Sequence, residues 1–129
     1  MSQNQLTPAT YYPAVVGTVL SGLRKGVGLN QTELAQRVGV SQSGWSKIER
    51  GATPINIEQL VNAADELGVS PSEILSQADR LAGCARERGV RVDNQRLTKK
   101  EMLAAGVFVF SVAALGTLIG VAISSNDDS

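Results

Sequence analysis

No histidine occurs in this chain, and cysteine occurs once, as Cys84. The first absence removes the commonest general base and the commonest metal ligand. The second rules out an intrachain disulfide and a cysteine-based zinc cluster. There is also no glycine loop suited to a phosphate and no nucleophile beside a base. An enzymatic role, a bound metal and a cofactor are therefore not expected. Net charge is missing as well: 12 basic residues balance 12 acidic ones, so no global field marks a nucleic-acid binder. The start, "MSQNQLTPATYY", is polar and lacks the basic start and apolar run of a secretory signal.

Charge is present locally. Arg80 to Glu101 holds seven basic residues against three acidic ones. Met102 to Ile123 follows with 22 residues and no charge, and the tail carries Asp127 and Asp128.

A chain of 129 residues bounds the answer to one small domain with appendages. Residues 1–12 read as a flexible N-terminal arm. Pro13 suits the first position of a helix, where its missing N–H costs nothing. Val16, Val19, Leu20, Leu23 and Val27 then recur at helical spacing until Gly26 and Gly28 stop the run. A second helix is predicted from about Gln31 to Val38, with Leu34, Ala35 and Val38 inward and Gly39 as the turn. Ser41 is a good N-cap for a third helix running to about Arg50 with Trp45 and Ile48 inward. Asn56 opens a fourth, bearing Ile57, Leu60, Val61, Ala64 and Leu67. Ser70, Pro71 and Glu73 open a fifth with a capping box, extended by Ile74, Leu75, Ala78 and Leu81. The expected fold is all-α, with a five-helix domain over 13–82 and a basic linker over 83–98. An apolar helix over 99–124 and a short acidic tail over 125–129 complete it. "TKKE", Thr98 to Glu101, fits a further capping box at the start of that helix.

The spacing between Gln31 and Arg50 carries the function. Ala35 lies four residues after Gln31, where two crossing helices need a small side chain. Gly39 lies four further on, where a tight turn needs a left-handed residue. Trp45 and Ile48 pin the next helix. This is the pattern of a DNA-binding helix-turn-helix. The run from Leu23 to Leu75, with its "GLNQTELA", "VS" and "IERG" blocks, covers 53 of 129 residues. It resembles the Cro-type phage-repressor helix-turn-helix family, also described as the xenobiotic-response-element type.

The resemblance implies roles position by position. Gln31 would contact phosphate, helped by the backbone N–H groups of a helix start. Gln42 and Ser43 would face base edges, and a glutamine amide can pair with adenine N6 and N7. Ser46 and Lys47 would lie one turn on, with Lys47 reaching guanine or phosphate. Arg24 and Glu49 match a pair that forms an internal salt bridge. Two positions depart from the family. Trp45 stands where Ile or Val is usual, and Gly44 sits inside the reading helix at a cost of about 1 kcal/mol relative to Ala.

The uncharged stretch points elsewhere. Twenty-two helical residues span about 33 Å against a hydrocarbon core of about 30 Å. Arg91, Arg96, Lys99 and Lys100 precede it and no Lys or Arg follows. That asymmetry orients a single transmembrane helix in a bacterial inner membrane, with the N-terminal domain cytoplasmic. The basic segment would also suit anionic lipid headgroups. Gly116 and Gly120 form a GxxxG pair that lets two such helices pack closely, which fits a dimeric repressor on two half-sites.

The expected function is a membrane-anchored transcriptional regulator, a repressor that binds double-stranded DNA as a homodimer. The alternative is a membrane-anchored helix-turn-helix protein that binds a protein partner of cytoskeletal, immunity or toxin-antitoxin type. Gln42, Ser43 and Lys47 on the reading helix favour DNA.

Overall fold

The computed structural model describes residues 7–95, 98–105 and 107–109. In chain order the elements are β1 (Thr7–Tyr11), α1 (Tyr12–Gly26), α2 (Gln31–Val38), α3 (Gln42–Glu49), α4 (Ile57–Leu67), α5 (Pro71–Glu87), β2 (Arg91–Asp93), α6 (Lys99–Ala105) and β3 (Val107–Val109). The fold is mostly helical, and five helices, α1 to α5, build its core.

The helix boundaries follow local chemistry. Each helix start leaves backbone N–H groups without intrahelical partners, and a side-chain oxygen can take one of them. Asn30 accepts from the Glu33 N–H at 2.8 Å while Glu33 accepts from the Asn30 N–H at 2.9 Å. Asn56 and Gln59 repeat that exchange at 2.7 and 3.0 Å. Ser41 accepts from the Gly44 N–H at 3.0 Å. Ser70 accepts from the Glu73 N–H at 3.1 Å, but Glu73 does not close the expected box. Its carboxylate takes Gln77 Nε2 instead and lies 3.5 Å from Arg80. The box at Thr98 and Glu101 is complete, at 2.7 and 3.1 Å. Gly39 and Gly68 end α2 and α4 in the left-handed region, at φ 86° and 74°.

Among the described residues the core is one cluster. Val15, Val19, Leu20, Leu34, Ala35, Trp45, Ile48, Leu60, Ala64, Ile74, Ala78 and Leu81 lie in it. α1 packs against α5 and α3, and α2 against α3 and α4. One crossing is unusually close. A Cβ on Gly17 would come within 2.5 Å of the backbone oxygens of both Ile48 and Glu49. Gly51, at φ +76°, would drive a Cβ into Ala14 Cβ. The N-terminal half of α1 therefore lies directly on the carbonyl end of α3.

Several sequence expectations are corrected. The arm over 1–12 is a strand from Thr7 to Tyr11, with Ala9 and Thr10 fully buried; residues 1–6 lie outside the described residues. β1 is the centre of a three-stranded sheet of order β2-β1-β3, parallel throughout, so the domain is not all-α. Ala9, Thr10 and Tyr11 pair with Arg91, Val92 and Asp93. Thr7, Pro8 and Ala9 pair with Val107, Phe108 and Val109. Pro8, which has no N–H to give, falls outside the stretch paired with β2. α5 runs to Glu87, five residues past the expected domain end, because Ala82, Ala85 and Val90 continue the buried face. Val27, Ile57, Val61 and Leu75 are more exposed than their helical spacing suggested, Ile57 at 74%.

The unbroken helix expected over 99–124 is corrected as well. α6 ends at Ala105 and Val107–Val109 is extended, paired with the free edge of β1. β-branched and aromatic residues favour a strand where a ladder partner is within reach. Among the described residues, no helix is long and apolar enough to cross a membrane. Residues 106 and 110–129 lie outside the described residues, and Gly116 and Gly120 with them.

Replacing Gly17 by Ala forces α1 off the α3 carbonyls. Overpacking of this kind costs about 1–3 kcal/mol, so thermal unfolding followed by circular dichroism should give a lower Tm. An unchanged Tm would show that the crossing has slack.

Candidate nucleic-acid interface

The site is built on one carboxylate. Glu49 ends α3 and is 4% exposed. A carboxylate can only accept, and it offers about four lone-pair directions. All are used. Oε2 takes Arg24 Nε at 2.7 Å and the Trp45 indole N–H at 2.6 Å. Oε1 takes Arg24 Nη2 at 3.0 Å and Gln31 Nε2 at 2.9 Å. Arg24 also donates through Nη1 to the Leu29 carbonyl at 2.8 Å. The ion pair thus has two parallel bonds and ties α1 to α3 in a buried setting. The other pair between core helices, Arg37 with Glu66, is 3.7 Å long and well exposed, a geometry worth about 0–1 kcal/mol.

Burial pushes the Glu49 carboxyl up. The hydrogen bonds from Arg24, Gln31 and Trp45 and the Arg24 charge outweigh that, holding it below its ordinary value of 4.5. A depressed carboxylate stabilises the fold above its unfolded value and loses that contribution as pH falls through the folded one.

From this centre the network reaches the surface. Gln31, the first residue of α2, is half-buried, and its Oε1 accepts from Gln42 Nε2 at 3.1 Å. Gln42, the first residue of α3, is exposed. The starts of α2 and α3 therefore meet through two amides. Ser43 is exposed beside Gln42, with its hydroxyl 3.4 Å from that of Ser41. Lys47 is exposed one turn along α3, and Ser46 is half-buried. The structure thus gathers Gln31, Gln42, Ser43 and Lys47 along one edge of the domain, with Arg24 and Glu49 beneath. Gly44 lies under the cap: a Cβ there would stand 3.0 Å from Ser41 Oγ.

Three features escape a reading of the sequence. Gln31 is engaged inward as well as outward, since both ends of its amide have protein partners. Trp45 donates to Glu49, although a buried indole N–H needs an acceptor and the four-residue spacing on one helix was the available signal. Arg50, just past α3, is an exposed cation whose Nε donates to the Ser46 carbonyl at 3.4 Å. No group of acidic, cysteine or histidine residues that could hold a metal occurs among the described residues.

Arg24→Met leaves the Glu49 charge buried without its cation. Breaking such a pair costs about 3–5 kcal/mol, to be read from denaturant midpoints at neutral pH. The wild type should also lose stability progressively as pH falls below 4.5. An acid limb of the same steepness in Glu49→Gln would remove Glu49 from that account.

Comparisons with known proteins agree with this geometry. The HTH_3 helix-turn-helix family matches residues 21–74. A protein of Sinorhizobium fredii, described as the uncharacterized HTH-type transcriptional regulator y4dJ, is 37% identical over 65 residues. The alignment covers 50% of this chain and 84% of that one. Among solved structures, the clp gene regulator ClgR from Corynebacterium glutamicum superposes with a TM-score of 0.58 at 26% identity. It covers 60% of this chain and 82% of its own. A second crystal structure of that regulator gives 0.52 at 29% identity, over 54% and 90%. A helix-turn-helix whose three crossing helices meet at a buried carboxylate, and a bacterial relative matched over 84% of that relative's length, lead to one assignment: the chain belongs to the Cro/C1-type helix-turn-helix family.

Proposed function

We propose that the protein is a sequence-specific DNA-binding transcriptional regulator that acts as a repressor. The observation that carries this reading is the polar edge formed where α2 and α3 begin, with the Gln42 amide held at its surface by Gln31. Base edges in the major groove are recognised by such amides, and phosphates by helix starts and exposed cations. Gln42 and Ser43 contact bases, Ser46 supports them, and Lys47 reaches guanine or phosphate. Gln31 approaches the backbone through its α2 N–H group while its side chain is held by the protein. The S. fredii relative and ClgR are both described as regulators, which supports the same reading.

An eight-residue helix such as α3 is about 12 Å long and covers only three or four base pairs of groove. A symmetric dimer on two half-sites, about one helical turn apart, doubles the sequence read. The protein is proposed to bind in that form. A protein partner in place of DNA is the weaker reading, because a surface amide oriented from below is suited to base edges.

A membrane anchor is a second reading, favoured by the uncharged run Met102–Ile123 behind a basic stretch. It places the protein in the bacterial inner membrane with the helix-turn-helix cytoplasmic. It also requires β3 to leave the sheet. With Val107–Val109 retained in β3, the apolar run beyond it, to Ile123, has 14 residues, about 21 Å if helical and too short for a core of about 30 Å.

Gln42→Ala should weaken binding to the preferred duplex by about 1–3 kcal/mol and leave random duplex unaffected. Equal losses on both in an anisotropy titration would refute base reading by this residue. For the anchor, full-length protein should float with phosphatidylethanolamine–phosphatidylglycerol vesicles and resist alkaline carbonate. Recovery in the carbonate supernatant would exclude it.

A further inference from the structure

We infer that β1 holds Val107–Val109 as a releasable strand, and that an anionic lipid bilayer takes this strand out of the sheet. The inference rests on the membrane-anchor reading above and adds its regulation. One stretch of chain has two mutually exclusive partners, β1 in water and lipid at a membrane.

The attachment of this stretch to the domain is narrow. α6 packs against β3 and makes no comparable contact with α1 to α5. Leu103 on α6 is 79% exposed. β3 has three residues and lies at the edge of the sheet, so β1 is its ladder neighbour among the described residues. It meets Thr7, Pro8 and Ala9 there, and Pro8 has no N–H to give to a ladder. β2, on the other side of β1, is anchored differently. α5 packs on it, and the buried Ala85 and Val90 lead into it. Loss of β3 therefore leaves the helical core and the β1–β2 pair in place. Segments with few buried contacts open at the lowest cost.

The released stretch has a second use. Met102 to Ala105 are already helical, and they begin the uncharged run to Ile123. With 106–109 wound onto the end of α6, that run is continuous over 22 residues, about 33 Å against a hydrocarbon core of about 30 Å. With β3 in the sheet the run is broken below that length. Thr98 and Glu101 cap the start of this helix. Arg88, Arg91 and Lys100, on the segments flanking the sheet, are exposed, and cations at such a border draw anionic headgroups. A ligand shifts an equilibrium only by its preference for one state. The bilayer has that preference, because it accepts the long run and not the broken one.

The test uses full-length protein and phosphatidylethanolamine–phosphatidylglycerol vesicles. Thr7 and Val107 are register partners, and neighbouring strands stand about 4.8 Å apart, within the range that a disulfide bridges. Thr7→Cys with Val107→Cys, in a Cys84→Ala background, locks β3 to β1 on oxidation. The reduced protein should float with the vesicles as the wild type does. The oxidised, intrachain-bonded protein should lose flotation and regain it on adding reductant. Equal flotation in both redox states would overturn the inference. Should the bond fail to form within the chain, an environment-sensitive fluorophore on each single cysteine decides the matter. On vesicles the emission from position 107 should shift to the blue while that from position 7 stays put. Both shifting, or neither, would mean that the strands do not part. If the wild type itself does not float, the anchor reading falls, an outcome distinct from a wild type and a locked form that float alike.

Discussion

One buried carboxylate sets the geometry of this domain. Glu49 receives donors from α1, α2 and α3, so three separate helices are referred to a single pair of oxygens. Leaving such a charge unsatisfied in the interior would cost several kcal/mol, and the donors from α1 and α2 each remove part of that cost only in one position of their helix relative to α3. The apolar cluster supplies cohesion without direction. The carboxylate supplies direction. Gly17 completes the arrangement by letting α1 lie on the α3 carbonyls, which brings Arg24, further along the same helix, within bidentate reach.

Much of this was legible in the sequence because it is local. Ser41, Asn56, Ser70 and Thr98 announce helix starts through side chains that bond three residues ahead, and Gly39 announces the turn through its backbone. The positions of Gln31, Gln42, Ser43 and Lys47 at the starts of α2 and along α3 follow from the same local signals. What could not be seen was the partner of each polar side chain. Gln31 and Gln42 are eleven residues apart and Gln31 and Glu49 eighteen; no periodicity links them, and only the crossing of α1, α2 and α3 brings them together. Periodicity also overstated the buried faces. It marks Ile57 and Val61 as in line with Leu60 and Ala64, but says nothing of whether another element covers them.

The small sheet was missed for a related reason. "TPATY" contains a proline and no clean alternation, and β2 and β3 have three residues each. Strands this short acquire their conformation from ladder partners far away in sequence. The same fact creates the tension at Val107–Val109. Apolar, β-branched and aromatic residues are what a membrane helix wants and also what a strand wants, and composition does not arbitrate. In this structure the open edge of β1 does.

Trp45 has a consequence beyond packing. It is the chain's single tryptophan, fully buried and bonded to the Glu49 carboxylate where α1, α2 and α3 meet. Indole emission from this protein therefore originates from one defined place, the buried side of α3. The molecule carries its own optical probe, unlabelled and already installed, whose colour and intensity follow any shift of that helix against the rest of the domain.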